Sequence, residues 1–212
     1  MIFILSLMCL KAKNRISIVE DSYRRRSVTR LIAVFGAKNS GKTTVVEYLI
    51  GRLVRDGFNV AALKHIHHEF TIDTEGKDTW KMARRGASIV ASISPNEVAI
   101  LHKRIDDWRI NFNKLLQFLE KEDIDVAVAE GFHNILGKTP TVLKIITIKT
   151  DEEAHHFINT TSPPILALVK RAETQLKINP GSISIFNLPP GDELYQLVLK
   201  SIRKQTPGSG MV

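Results

Sequence analysis

Residues 36 to 43 read Gly-Ala-Lys-Asn-Ser-Gly-Lys-Thr, between an apolar run and an amphipathic stretch, and this order restricts the fold more than any other feature. Upstream, Leu31-Ile-Ala-Val-Phe35 follows Arg30 and reads as a buried parallel strand. Downstream, Thr43 to Asp56 sets Val45, Val46, Leu49, Ile50, Leu53 and Val54 on one helical face, and Gly57 ends the helix. The loop fits G-x-x-x-x-G-K-[ST], the phosphate-binding pattern that joins a strand to a helix. An ordinary Gly/Ser connection is the competing reading, and the order strand, glycine loop, helix argues against it.

Each position has a mechanical reason. Gly36 and Gly41 let the backbone turn so that successive N–H groups face one concavity. The span Gly36, Ala37, Lys38, Asn39, Ser40, Gly41, Lys42, Thr43 and Thr44 is expected to hold phosphates. Lys42 brings a mobile ammonium to the β- and γ-phosphates and is the candidate catalytic group. The Thr43 hydroxyl is placed for Mg²⁺, and the following helix adds its positive N-terminal end.

Composition narrows the rest. The chain has 212 residues, 43% apolar and 25% charged, enough for one globular α/β domain. Cys9 is the single cysteine, so no intramolecular disulfide can form. The net charge of +8 suggests nucleic acid until it is mapped. Residues 1–30 carry seven basic and two acidic residues, a net +5, which leaves +3 for the other 182. A solvated basic tail is the preferred reading and no nucleic-acid partner is expected. Met1 to Leu10 is apolar but too short to span a bilayer. It lacks preceding charge and a clear cleavage site, so neither a secretory signal nor a membrane partner is expected, and the expected location is the cytoplasm.

Along the chain, further strands are predicted at 58–64, 124–129, 143–148, 165–169 and, at a sheet edge, 183–186. Helices are predicted over 77–85, 108–122 and 192–204, and a β-hairpin over 88–103 around Pro95-Asn96. The alternation implies an α/β fold of three layers, a mostly parallel sheet with helices on both faces and a β-hairpin insertion, as in P-loop NTPases. The expected organisation is a basic, flexible extension (1–29), a nucleotide-binding domain (30–205) and a flexible tail (206–212). In such sheets ligands bind beyond the carboxyl ends of the strands. The loops after Phe35, Leu63 and Ala129 should therefore converge.

Two further groups could do chemistry. Ile124-Asp-Val-Ala-Val-Ala-Glu130-Gly131 is a buried strand ending on an acid, and Glu130 is the candidate partner of Mg²⁺. Asp125 comes too early. Lys64-His-Ile-His-His-Glu-Phe-Thr-Ile-Asp-Thr-Glu-Gly-Lys-Asp78 is dense in polar residues. Its histidine spacing fits no usual zinc pattern, so a loop near the phosphates is the better reading. Asp73 and Asp78 could support Mg²⁺, and Lys64 or Lys77 could face an anion. Guanine-specific GTPases carry [NT]-K-x-D. Here Ile148-Lys149-Thr150-Asp151 has the wrong first residue and Asn113-Lys114-Leu115-Leu116 lacks the Asp, which leaves ATP and GTP both open.

Together, GAKNSGKTT, LKHIHHEFTIDTEGKDTW…RRGAS and VAVAEGF resemble the molybdopterin-guanine dinucleotide biosynthesis adapter (MobB) family over about residues 30–204. The resemblance implies a GTP-binding, Mg²⁺-dependent homodimer with weak or partner-dependent hydrolysis. It implies a partner of the MobA guanylyltransferase type, with molybdopterin or its guanine dinucleotide as a further ligand. It also implies that His65, His68, Asp73, Gly76, Lys77 and Asp78 form a second polar site. Two departures stand out: Glu75 replaces the Pro usual in that motif, and Lys170-Arg171-Ala172-Glu173 stands where some relatives carry an Asp. A small P-loop metabolite kinase is the rival reading. No residue stands out to orient water, so slow turnover is expected.

Overall fold

The structure is a computed structural model that describes residues 2–5, 29–103 and 107–204. In chain order its strands are β1 (Ile2–Leu5), β2 (Arg30–Gly36), β3 (Val60–Lys64), β4 (Ile89–Ile93), β5 (Val98–His102), β6 (Val126–Glu130), β7 (Leu143–Ile148), β8 (Ile165–Arg171) and β9 (Ser184–Leu188). Its helices are α1 (Lys42–Arg55), α2 (Asp78–Arg84), α3 (Trp108–Lys121), α4 (His133–Leu136), α5 (Asp151–Thr160) and α6 (Asp192–Lys204). Two compact units emerge. The smaller holds β1 and the described residues from His68 to Phe118, and the larger holds residues 29–67 and 119–204. Most of the expected 1–29 extension and all of the 206–212 tail lie outside the described residues.

The larger unit is built on one six-stranded sheet in the order β3-β6-β2-β7-β8-β9, with every neighbouring pair parallel. β2 lies inside the sheet, and Ile32, Ala33 and Val34 are fully buried, which is why its sequence is apolar throughout rather than alternating. α1 and α6 cover one face. Val45, Leu49 and Leu53 of α1 and Leu194, Tyr195 and Val198 of α6 pack on Ile32, Val34, Val128 and Ile145. Each such side chain contributes about 1.5–3 kcal/mol of burial. On the other face, Ala154 of α5 packs with Ile146, Ile148 and Leu168, with Phe157 and Ile158 alongside. The three layers match the expected fold class, and β9 is indeed an edge strand.

Two ties hold the outer layers. The buried Tyr195 donates its hydroxyl to Asp56 Oδ2 at 2.6 Å, while the Arg52 guanidinium lies 4.3 Å from the Tyr195 ring centre. Burial, then the Asp56 contact, pushes the phenol up to about 12. Lys144, in β7, is fully buried and donates to the carbonyls of Thr139 (2.6 Å), Val142 (3.0 Å) and Pro163 (3.5 Å).

α4 and α5 were not foreseen. α5 buries few apolar residues fully, so its periodicity is faint. Its start was legible, however. Thr150 caps it by accepting the Glu153 N–H at 3.2 Å, and Asp151, Glu152 and Glu153 in the first turn suit the helix dipole.

The smaller unit carries the expected hairpin, β4 with β5, extended by β1 into an antiparallel sheet β1-β5-β4. No strand was read at Ile2–Leu5 from the sequence. Ile89 and Ile93 share one face of β4 and are exposed, Ile93 by 80%.

Candidate phosphate-binding site

The carboxyl ends of β2, β3, β6 and β8 border one cavity of about 580 Å³. Loop residues 38–44 line it, together with Lys64, Glu130 and Arg171. The loops after Phe35, Leu63 and Ala129 therefore meet in space, as the parallel sheet requires.

The loop holds its shape through unusual backbone angles and buried hydroxyls. Gly36, Asn39 and Gly41 have φ of 146°, 61° and 92°. The Ser40 hydroxyl lies 2.8 Å from the Ala37 carbonyl oxygen and 2.7 Å from Thr147 Oγ1, itself 2.9 Å from the Phe35 carbonyl oxygen. A Cβ on Gly36 would overlap the Thr147 hydroxyl and carbonyl. Gly36→Ala therefore combines backbone strain with a backbone clash, and we expect a loss of about 2–4 kcal/mol of stability. Urea unfolding checks this, and a loss under 0.5 kcal/mol would contradict the packing.

Lys42 opens α1 and folds back to donate to the Ala37 carbonyl at 2.6 Å. Burial lowers its pKa below the ordinary lysine value. Lys64 and Lys149 add to that shift, while Glu130 and Glu153 oppose it. The Thr43 hydroxyl donates to Glu130 Oε2 at 2.9 Å, and Lys64 Nζ lies 3.4 Å from Glu130 Oε1. Hydroxyl and carboxylate are hard oxygen donors of the kind Mg²⁺ takes. Their separation matches the edge of an octahedron with Mg–O bonds of about 2.0–2.1 Å. The residues present fit the ion.

The other sequence candidates fall in different surroundings. His65 N–H donates to the Glu130 carbonyl at 3.0 Å, and its ring stacks on Phe132 with centres 5.0 Å apart. Burial, then His67, lowers its pKa and favours the neutral ring. His68, Asp73, Lys77 and Asp78 belong to the smaller unit. There the Asp73 side chain is only 3% exposed, accepts from Thr79 Oγ1 at 2.7 Å and faces Lys103 Nζ at 3.7 Å. It ties the loop to α2. Lys77 occupies the N-cap position of α2, Asp78 is its first residue, and His68 is exposed. Among the described residues no group of three or more His, Cys, Asp or Glu side chains is placed to hold a metal ion.

Sequence reading missed Thr147, Lys149 and Arg171 as site residues. Lys149 Nζ donates to the Lys38 carbonyl at 3.2 Å and pairs with Glu153 at 3.4 Å, bracing the loop from β7. In the same segment the Asp151 carboxylate accepts the backbone N–H groups of Lys177 (3.0 and 3.1 Å) and Ile178 (3.2 Å). That use explains why the near-match Ile148-Lys149-Thr150-Asp151 does not present a base-reading carboxylate. The available signal was positional, since each missed residue lies at or just beyond the carboxyl end of a strand.

Comparison with known proteins agrees with this geometry. The family model described as Molybdopterin guanine dinucleotide synthesis protein B (MobB) matches residues 31–171. The molybdopterin-guanine dinucleotide biosynthesis adapter protein of Haemophilus influenzae is 33% identical over 102 residues, 48% of this chain and 56% of that protein. The probable adapter protein of Bacillus subtilis is 30% identical over 154 residues, 71% of this chain and 82% of that one. The chain thus spans little more than half the length of the Haemophilus relative. The crystal structure of Bacillus subtilis MobB superposes with a TM-score of 0.60 at 26% identity, covering 81% of this chain and 96% of that one. The MobB homolog from Bacillus stearothermophilus gives 0.62 at 22% identity, covering 82% and 99%. With a glycine loop, a facing acid and a six-stranded sheet in the expected places, and with the match extending over more than half its length, the chain belongs to the MobB family.

Proposed function

We propose that this chain binds GTP with Mg²⁺ and acts as an adapter in the biosynthesis of molybdopterin guanine dinucleotide, beside a guanylyltransferase of the MobA type. The observation that carries the reading is the Thr43–Glu130 contact of 2.9 Å at the edge of a cavity walled by loop 38–44. Loop amides and the start of α1 would receive the phosphates, and the Lys42 ammonium would turn from the Ala37 carbonyl to the β- and γ-oxygens. Thr43 and Glu130 would hold Mg²⁺, which supplies charge neutralisation on the terminal phosphates. The contacts of Glu130 with Thr43 and Lys64 suit it to hold the metal rather than to act as a base, so turnover by the isolated chain should be slow.

The family names support the pathway, and the word guanine in them favours GTP. The exposed apolar face at Ile89 and Ile93 supports a protein contact and is consistent with a homodimer. No described helix is long and apolar enough to cross a membrane.

Calorimetric titration with GTP, GDP and ATP, with Mg²⁺ and with chelator, tests the reading. Glu130→Gln should weaken GTP binding about tenfold or more in Mg²⁺, the range of a lost charged contact, and change it little in chelator. Equal affinity of the parent chain with and without Mg²⁺ would remove the metal role of Glu130.

A further inference from the structure

Arg171 lines the phosphate cavity and lies outside both the glycine loop and the strand that ends on Glu130. It ends β8, two strands from β2 in the sheet. At about 4.8 Å per strand, that is about 10 Å to one side of the phosphate loop. Glu130 and Lys64 end β6 and β3 on the opposite side. Thr43 and Glu130 mark where the metal and terminal phosphates would lie, so a bound nucleotide extends its nucleoside the other way, over β7 and β8. The span from phosphate loop to β8 is comparable to that from a β-phosphate to a purine edge.

Arg171 is free to turn toward such a ligand. Its side chain is 59% exposed, and Nη1 faces Glu173 Oε1 at 3.8 Å, a rim pair of small energetic weight. The Asp151 carboxylate beyond β7 is already taken by the backbone of Lys177 and Ile178. A guanidinium offers only donors, in a planar fork. A 6-oxopurine presents two neighbouring acceptors, O6 and N7, that match the fork. Adenine presents N7 beside a 6-amino donor, which opposes it.

The geometry points to Arg171 as the residue that selects the base: it reads O6 and N7 of a 6-oxopurine nucleotide, so that the cavity takes GTP and ITP in preference to ATP. The inference rests on the proposed nucleotide-binding reading. It differs from carboxylate readout of guanine, which accepts from N1–H and the 2-amino group and would bind inosine more weakly than guanosine.

The test is calorimetric titration of the full chain with the Mg²⁺ complexes of GTP, ITP and ATP, for the parent, Arg171→Ala and Arg171→Lys, with thermal melts to check folding. The parent should bind GTP and ITP alike, and both roughly 5- to 150-fold tighter than ATP, the worth of one bidentate base contact. Arg171→Ala should lose that factor for GTP and ITP and keep the ATP value. Arg171→Lys, which keeps donors for O6 and N7 on a non-planar head, should retain part of the selectivity, between the parent and the alanine variant. Several outcomes would overturn the inference: GTP far tighter than ITP in the parent, equal losses for all three nucleotides in Arg171→Ala, unchanged selectivity in that variant, or less selectivity with lysine than with alanine. A folded parent that binds all three equally removes this inference alone. A folded parent that binds none removes the nucleotide-binding reading as well.

Discussion

Replacing Lys42 with alanine should lower the affinity for Mg²⁺·GTP by at least about 100-fold, in the range found when one partner of a desolvated charge pair is truncated. The melting temperature should stay within about 3 °C of the parent, the shift expected from about 1 kcal/mol. The two effects separate because the side chain does little for the fold. Its ammonium holds one hydrogen bond, to the Ala37 carbonyl at 2.6 Å, and borders the cavity rather than the core. In a complex the same ammonium would meet the most highly charged part of the ligand. Burial also lowers its pKa, so affinity should begin to fall at a pH below the ordinary lysine range as the ammonium loses its proton. Calorimetry and thermal unfolding read both effects, and an affinity within threefold of the parent would contradict the assignment.

Lys144→Ala should destabilise the fold by about 3–5 kcal/mol at pH 7 in denaturant unfolding. It empties a long side chain's volume and strips three carbonyls of their donor. Lys144→Met refills the volume and removes a charge that is costly to bury, so it should lose less. The same group imposes a pH dependence. Burial lowers its pKa to about 8, against about 10.4 when unfolded. Between those values the unfolded chain binds more protons than the folded one, so this group makes stability rise with pH across the window and leaves it flat below. From pH 7 to 9.5 the parent should gain about 2 kcal/mol relative to Lys144→Met. A difference independent of pH would mean that the buried ammonium keeps an ordinary pKa.

Much of the larger unit was legible because its signals are local. Strand, glycine loop and helix at 30–56 follow from glycine spacing and from two periodicities that act over a few residues. The strand at 143–148 and the helix at 192–204 appeared where predicted for the same reason. α5 escaped because only Ala154 among its residues is fully covered, which leaves little apolar rhythm, although Thr150 and the acids after it signalled its start. Asp73 resembled a ligand by its company in the chain. Its nearly buried carboxylate instead serves Thr79 and Lys103.

From its own order of residues the chain determined that a phosphate loop would form, that helices would flank a parallel sheet, and that Glu130 would end a buried strand. Each of these depends on neighbours within one turn or a few strand residues. Tertiary structure alone decided that Thr147, more than a hundred positions away, would brace Ser40, and that Arg171 would share a cavity with Lys42. The reason is the strand order β3-β6-β2-β7-β8-β9. Parallel strands are joined by crossovers, so residues at adjacent strand ends meet through hydrogen-bonded register rather than proximity along the chain.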